Sequence, residues 1–231
     1  MPKIVIDLDT VIHAETREAL PLILDNSADI IITDPPYNMD KAVWDKGQIQ
    51  PQDYIPQLAR ILRPGGAIYV CWSCMLLDKI LPVFREHFNH HNVIAWHYRN
   101  GMAPTGRCQY TRTWEAIIYG TKGKTPVNIS RDFDRYGSNS FDVWQIPVPQ
   151  SNYKQEKKEH VCQKPQALAT KMLMASSKEN DIVLDPFCGS GTFLAEAKLR
   201  KRRYIGIDSD IKSVVIAKRR LARTMRLSQK W

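Results

Sequence analysis

The sequence predicts an α/β protein built on a doubly wound, mainly parallel β-sheet. Two observations carry that prediction. Short apolar runs alternate with helical patterns along most of the chain, as strands joined by crossover helices do. One of those runs also passes directly into a glycine turn and then a helix, the layout of a ligand-binding loop at the end of a parallel strand. The 231 residues, 43% of them hydrophobic, suffice for one domain, or for one domain with an inserted lobe.

The first predicted strand is ADIIIT at 28 to 33, whose continuous apolar run suits a strand buried on both faces. It runs into TDPPYN at 33 to 38, where two prolines that cannot continue a central strand stop it at a rigid polar corner. A helix is predicted over 51 to 62, closed by RPGG at 63 to 66, and then a strand at AIYVCW, 67 to 72. A helix over 75 to 87 leads to strands at NVIAWHY (92 to 98) and WEAIIYG (114 to 120). Between those strands, RNGMAPTGRCQYTR at 99 to 112 reads as a long loop. Residues 122 to 160 break the pattern with glycine, proline, serine and asparagine and read as a loop-rich insertion. Beyond it come a helix over 165 to 178, the strand DIVLD at 181 to 185, a helix over 191 to 201, the strand YIGID at 204 to 208 and a helix over 210 to 225. Residues 1–121 and 161–231 are thereby predicted to be two parts of one domain.

Lysine and arginine number 33 against 24 acids, a net charge of +9, which favours an anionic partner such as nucleic acid. Arg99, Arg107 and Arg112 of the long loop add to this basic character, and Arg131, Arg135, Tyr136, Trp144, Tyr153 and Lys154 of the insertion suit a nucleic-acid surface. KLRKRR (198 to 203) and AKRRLARTMR (217 to 226) read as solvated helix faces that add nonspecific attraction to the phosphate backbone. No apolar stretch approaches the ~20 residues of a membrane span, and MPKIVIDLDT puts Asp7 and Asp9 where a signal peptide would be apolar. Five scattered cysteines suit a reducing compartment, so a cytoplasmic protein is expected. CWSC at 71 to 74 continues a strand without a second metal-spaced pair and reads as core thiols.

In DIVLDPFCGSGTFLAEA, 181 to 197, Gly189 and Gly191 let the backbone turn sharply and approach a ligand. Asp208 follows 19 residues after Gly189 at the end of the next strand, placed to accept hydrogen bonds from ribose hydroxyls. A nucleoside-containing cofactor is therefore expected. The dinucleotide fingerprint G-x-G-x-x-G wants glycine where this chain has Leu194, so close approach of a pyrophosphate is not provided for. S-adenosylmethionine carries ribose hydroxyls and a charged amino-acid end but no phosphate. A turn with Asp185 before it and Asp208 after it fits that ligand better.

TDPPYN and DPFCGSGT together resemble the catalytic and cofactor motifs of the DNA methyltransferases that modify adenine N6 or cytosine N4. HVCQKPQAL (160 to 168) resembles the family's H-P-T-Q-K-P segment, and YIGIDSD (204 to 210) follows in order. Catalytic motif first and cofactor motif last is the circularly permuted order of the family's beta group. The resemblance implies a Rossmann-like, S-adenosylmethionine-dependent methyltransferase fold. Residues 1–121 would be its catalytic half, 122–160 its target-recognition segment and 161–231 its cofactor half. It implies Asp34, Pro35, Pro36 and Tyr37 as catalytic residues. Around the cofactor it implies Glu15, Asp34, Lys164, Asp185, Phe187, Gly189, Ser190, Gly191, Thr192 and Asp208. Glu15, in VIHAET, stands where the group has a strand ending in glycine-aspartate. DNA is the implied partner, with a homodimer as the implied assembly.

An exocyclic amine on adenine or cytosine is a poor nucleophile because its lone pair is delocalised into the ring. Acceptors around the amine favour a pyramidal nitrogen: the Asp34 carboxylate and the Pro35 carbonyl can each take one amine hydrogen, and the prolines hold them rigidly. Tyr37 would stack on a base that has left the duplex, recovering on the order of 1–3 kcal/mol of lost stacking. No step needs a metal or a covalent nucleophile. Three readings stay open. An adenine-N6 enzyme is favoured by Asp34, since cytosine-N4 members of the family more often carry serine there. A cytosine-N4 enzyme is the second. A catalytically silent DNA-binding protein of the same fold is the third, and the intact Asp34, Tyr37, Gly189 and Asp208 speak against it.

Overall fold

The computed structural model describes residues 7–37, 49–98, 110–124, 141–149 and 163–228. Strand β1 (Thr10–His13) leads into the short helix α1 (Thr16–Ala19), then β2 (Ala28–Thr33), α2 (Pro51–Ile61), β3 (Leu62–Trp72) and α3 (Leu77–His87). Three strands follow: β4 (Asn89–His97), β5 (Trp114–Thr121) and β6 (Val143–Gln145). The remainder alternates as α4 (Gln166–Ser176), β7 (Ile182–Asp185), α5 (Thr192–Leu199), β8 (Arg203–Asp208) and α6 (Ile211–Ser228).

All eight strands form one sheet in the order β1-β8-β7-β2-β3-β5-β4-β6. The first five in that order are mutually parallel, β5 is antiparallel to both its neighbours, and β6 is parallel to β4. Only β5 is reversed. The sheet is continuous because its central strand needs no polar face: Ile30, Ile31 and Ile32 of β2 are all fully buried. With side chains alternating across a strand, Ile30 and Ile32 enter one core with Leu168 and Met172 of α4, Phe193 and Leu194 of α5 and Ala217 of α6. Ile31 enters the other core, with Ile55 and Leu58 of α2 and Ile80 and Phe84 of α3. Each such isoleucine contributes about 1.5–3 kcal/mol by leaving water. Helices thus cover both faces, which is the doubly wound arrangement expected.

Two local expectations are corrected. The glycine pair of RPGG does not cap α2: the helix ends at Ile61, and Leu62 is already extended with φ −65° and ψ 131°. RPGG lies inside β3, and Gly65, at φ 79°, sits in the irregularity where β2 pairing skips from Ala28–Leu62 to Ile30–Ala67. Within the segment expected to be loop-rich, β6 pairs with β4, and Trp144 is only 5% exposed with the Lys171 ammonium 4.7 Å from its ring centre. Trp144 is therefore a core residue and not part of a nucleic-acid surface. Tyr153 and Lys154 lie outside the described residues. Among the described residues, no helix is long and apolar enough to cross a membrane.

Candidate active site

The parallel neighbours β1, β8, β7 and β2 deliver their carboxyl ends to one edge of the sheet. Glu15, Asp208, Asp185 and Asp34 stand at or just past those ends in that order. Four strands spaced about 4.8 Å apart span roughly 14 Å, the scale of a small elongated ligand. From β2 the chain continues to β3 on one side, and from β7 to β8 on the other, so the winding reverses between β7 and β2. Open α/β sheets bind their ligands at such a switch point.

At this edge β7 turns into the loop that opens α5. Gly189 and Gly191 adopt φ 48° and 72°, a left-handed backbone that other residues take only with strain. A Cβ on Gly191 would stand 2.9 Å from the Ala217 Cβ, whereas nothing lies within 4 Å of one built on Gly189. Gly191 is thus fixed by packing, and Gly189 presents an open face. Ser190 and Thr192 flank Gly191 and are buried. The Asp208 carboxylate accepts the Gly189 N–H at 2.7 Å on one oxygen and the Asp210 N–H at 2.9 Å on the other. Those two bonds orient the Asp208 carboxylate beside the loop. Leu194 packs over Gly206 of β8, where a Cβ would collide with it. The glycine that lets this helix approach the sheet is therefore on the strand, not on the helix.

The β1–α1 corner closes the far end. Ala14 N–H donates to the Asp208 carbonyl at 3.1 Å and the Thr16 hydroxyl to the Pro186 carbonyl at 2.7 Å, which fixes the exposed Glu15 beside the loop. Phe187 packs edge-on against Tyr54 at 5.3 Å. Asp185 is fully enclosed and accepts the Thr33 hydroxyl at 3.0 Å and the Phe187 N–H at 3.2 Å. Burial pushes its carboxyl well above the usual carboxylate range. Through Thr33 it also ties the cofactor loop to the strand that carries the TDPPYN corner.

That corner holds a buried charge cluster. Tyr37 Oη donates to Asp34 Oδ1 at 2.5 Å, and Lys164 Nζ lies 2.7 Å from Asp34 Oδ2 and 3.2 Å from Glu115 Oε2. The Lys164 ammonium also stands 5.7 Å from the ring centres of both Tyr37 and Trp96. Burial raises the Asp34 carboxyl above its ordinary range; Lys164 opposes the shift and Glu115 adds to it. Burial works against the charge on Lys164, but Asp34 and Glu115 hold its ammonium well above the usual lysine range. Burial and the adjacent Asp34 keep the Tyr37 phenol protonated, hence a donor. In front of Tyr37, Cys74, Tyr98, Arg112, Trp114 and Glu115 line a concavity of about 80 Å³. They come from the carboxyl ends of β3 and β4 and the amino end of β5, which its reversal brings to the same edge.

Residues 28–219 match the family of N6/N4 methyltransferases described as DNA methylase. The chain belongs to that family. It is 33% identical over 241 residues to the Type II methyltransferase M2.LlaDCHI of Lactococcus lactis subsp. cremoris, covering 91% of this chain and 88% of that protein. The solved M1.HpyAVI–S-adenosylmethionine complex is 26% identical and superposes with a TM-score of 0.71 over 92% of this chain and 99% of that one. The cytosine-N4-specific PvuII DNA methyltransferase shares the fold at 16% identity, with a TM-score of 0.75 over 96% of this chain and 91% of that one. S-adenosylmethionine is the cofactor of this DNA methylase. The open face at Gly189 and the oriented acceptor Asp208 fit such a ligand.

The methylase edge brings together Asp34, Pro35, Pro36, Tyr37 and Lys164 at one end and Asp185, Phe187, Gly189, Ser190, Gly191, Thr192, Asp208 and Glu15 at the other. Lys164, expected beside the cofactor, pairs directly with Asp34. Arg112 is exposed at the rim of the concavity. Arg99, Arg107, Arg131, Arg135 and Tyr136 lie outside the described residues. Glu115 was missed by sequence reasoning: a lone acid near a strand start reads as solvated, and only the fold brings it to Lys164.

Proposed function

We propose that this methylase transfers a methyl group to the exocyclic N6 amine of adenine in DNA, with the target base turned out of the duplex. The observation that carries the reading is the Asp34 carboxylate, held by Tyr37, which lines the concavity, and by Lys164, and linked through Thr33 and Asp185 to the cofactor loop. Bound S-adenosylmethionine supplies the electrophilic methyl group on a positively charged sulfur. Asp208 would take the ribose hydroxyls, the open face at Gly189 would receive the ligand, and Glu15 and Phe187 would border its adenine end. Asp34 and the Pro35 carbonyl each accept one hydrogen of the target amine, which frees its lone pair from the ring. As the amine gains the methyl group it becomes cationic, and the negative Asp34 stabilises that charge and takes up its proton. Pro35 and Pro36 fix the two acceptors before the base arrives. Tyr37 offers its ring to the base, and Arg112 with the chain's net charge of +9 supports attraction of the phosphate backbone.

Aspartate at position 34 supports adenine over cytosine, because cytosine-N4 members of the family more often carry serine there. The test is to treat unmethylated plasmid DNA with the enzyme and cofactor, digest it to nucleosides and identify the product by mass. N6-methyldeoxyadenosine is expected. N4-methyldeoxycytidine would overturn the base assignment, and no methylated nucleoside would overturn the activity.

A further inference from the structure

We propose that Glu115 is a positioning residue for the transfer reaction, sharing the Lys164 ammonium with Asp34 so that Asp34 is oriented without being neutralised. The inference rests on the reading of Asp34 as the acceptor for the target amine. Lys164 has a side chain only 10% exposed and lies between two carboxylates, at 2.7 Å from Asp34 and 3.2 Å from Glu115. Two carboxylates and one ammonium leave the cluster with one net negative charge. Asp34 and Lys164 alone would form a closed neutral pair, which attracts an amine that is becoming cationic far less.

The neighbours of Asp34 do not supply that balance. Tyr37, Tyr54 and Cys71 face it with protons held by burial, and burial likewise favours the protonated form of Asp185. Among the described groups acting on Asp34, Lys164 is the cation and Glu115 the second anion. Glu115 Oε2 is itself buried and has no aligned hydrogen bond among the described residues, although it meets the ammonium at 3.2 Å. Its side chain is 25% exposed and borders the concavity in front of Tyr37, so it also stands where the base would enter.

The test uses the full chain with Glu115→Gln and Glu115→Asp. Single-turnover rates on unmethylated plasmid DNA at saturating cofactor are measured against pH, and the Asp34 carboxylate is titrated by its carbon-13 shift without cofactor. Glu115 raises the Asp34 carboxyl, so removing its charge lowers that carboxyl and moves the acid limb of the rate profile to lower pH. For Glu115→Gln we expect a rate about 10-fold lower at neutral pH, with both the Asp34 titration and the acid limb at lower pH. Glu115→Asp keeps the charge and should recover most of the rate. Unchanged rate and titration in Glu115→Gln would overturn the proposal. So would a lost rate with an unmoved titration, which would make Glu115 mere structural support. Asp34→Asn run in parallel separates the two levels. If it collapses while Glu115→Gln is silent, only the role of Glu115 fails. If Asp34→Asn keeps a near-normal rate, the amine clamp fails and this inference with it.

Discussion

Replacing Lys164 by methionine keeps much of the aliphatic volume and removes the one ammonium that Asp34 and Glu115 share. Breaking a buried pair costs about 3–5 kcal/mol, because the partner charge stays behind in a poor medium. Protonation of one of the two carboxylates relieves part of that strain, so the lower figure, about 3 kcal/mol, is the better expectation. For a chain of 231 residues each kcal/mol is worth roughly 2–4 °C, so the unfolding midpoint should fall by about 6–12 °C. Lys164 lowers the Asp34 carboxyl, so its loss raises it, and activity that needs ionised Asp34 fades at higher pH than in the parent. Calorimetric unfolding and a single-turnover pH profile read the two effects separately. An unchanged midpoint with an unmoved limb would refute the buried-pair reasoning, and a lowered midpoint with an unmoved limb would leave Lys164 as structural only.

Asp208→Ala should weaken S-adenosylmethionine binding by about 1–3 kcal/mol, because it removes the proposed ribose acceptor as well as the partner of the Gly189 N–H. Calorimetric titration checks this, and unchanged affinity would remove Asp208 from the site. Trp144→Ala should destabilise the fold by about 3–5 kcal/mol by emptying a core position, while the protein that remains folded at low temperature binds DNA normally. A near-parental unfolding midpoint combined with lost DNA affinity would return Trp144 to a DNA-facing role.

The legible parts of the sequence were those in which local pattern and tertiary demand agree. ADIIIT reads as a buried strand, and it is β2 residue for residue, because all of its apolar side chains have a core to enter. The cofactor loop was legible for the same reason: glycine takes the left-handed backbone at 189 and 191 without the strain a side chain would bring. RPGG misled because a glycine pair after a helical pattern reads as a C-cap, whereas here the left-handed Gly65 serves a bulge between β2 and β3. β6 was invisible, being three residues long with Trp144 as its one buried anchor in a polar stretch, and nothing local says that β4 lies beside it. The pairing of Lys164 with Asp34 and Glu115 was equally hidden, since β2, β5 and the approach to α4 meet only through the strand order.

The central claim is that the Asp34 carboxylate prepares the target amine for methyl transfer, and the single-turnover rate of Asp34→Asn tests it most directly. Asparagine keeps the size and one carbonyl acceptor but loses the negative charge and can turn an amide donor toward the amine. Losing one preorganised electrostatic contact at a reacting centre predicts a drop of at least ~100-fold at saturating cofactor and DNA. The affinity for DNA should change little, because most of it comes from phosphate contacts. A near-parental rate under those conditions would contradict the account and reduce the TDPPYN corner to a rigid turn.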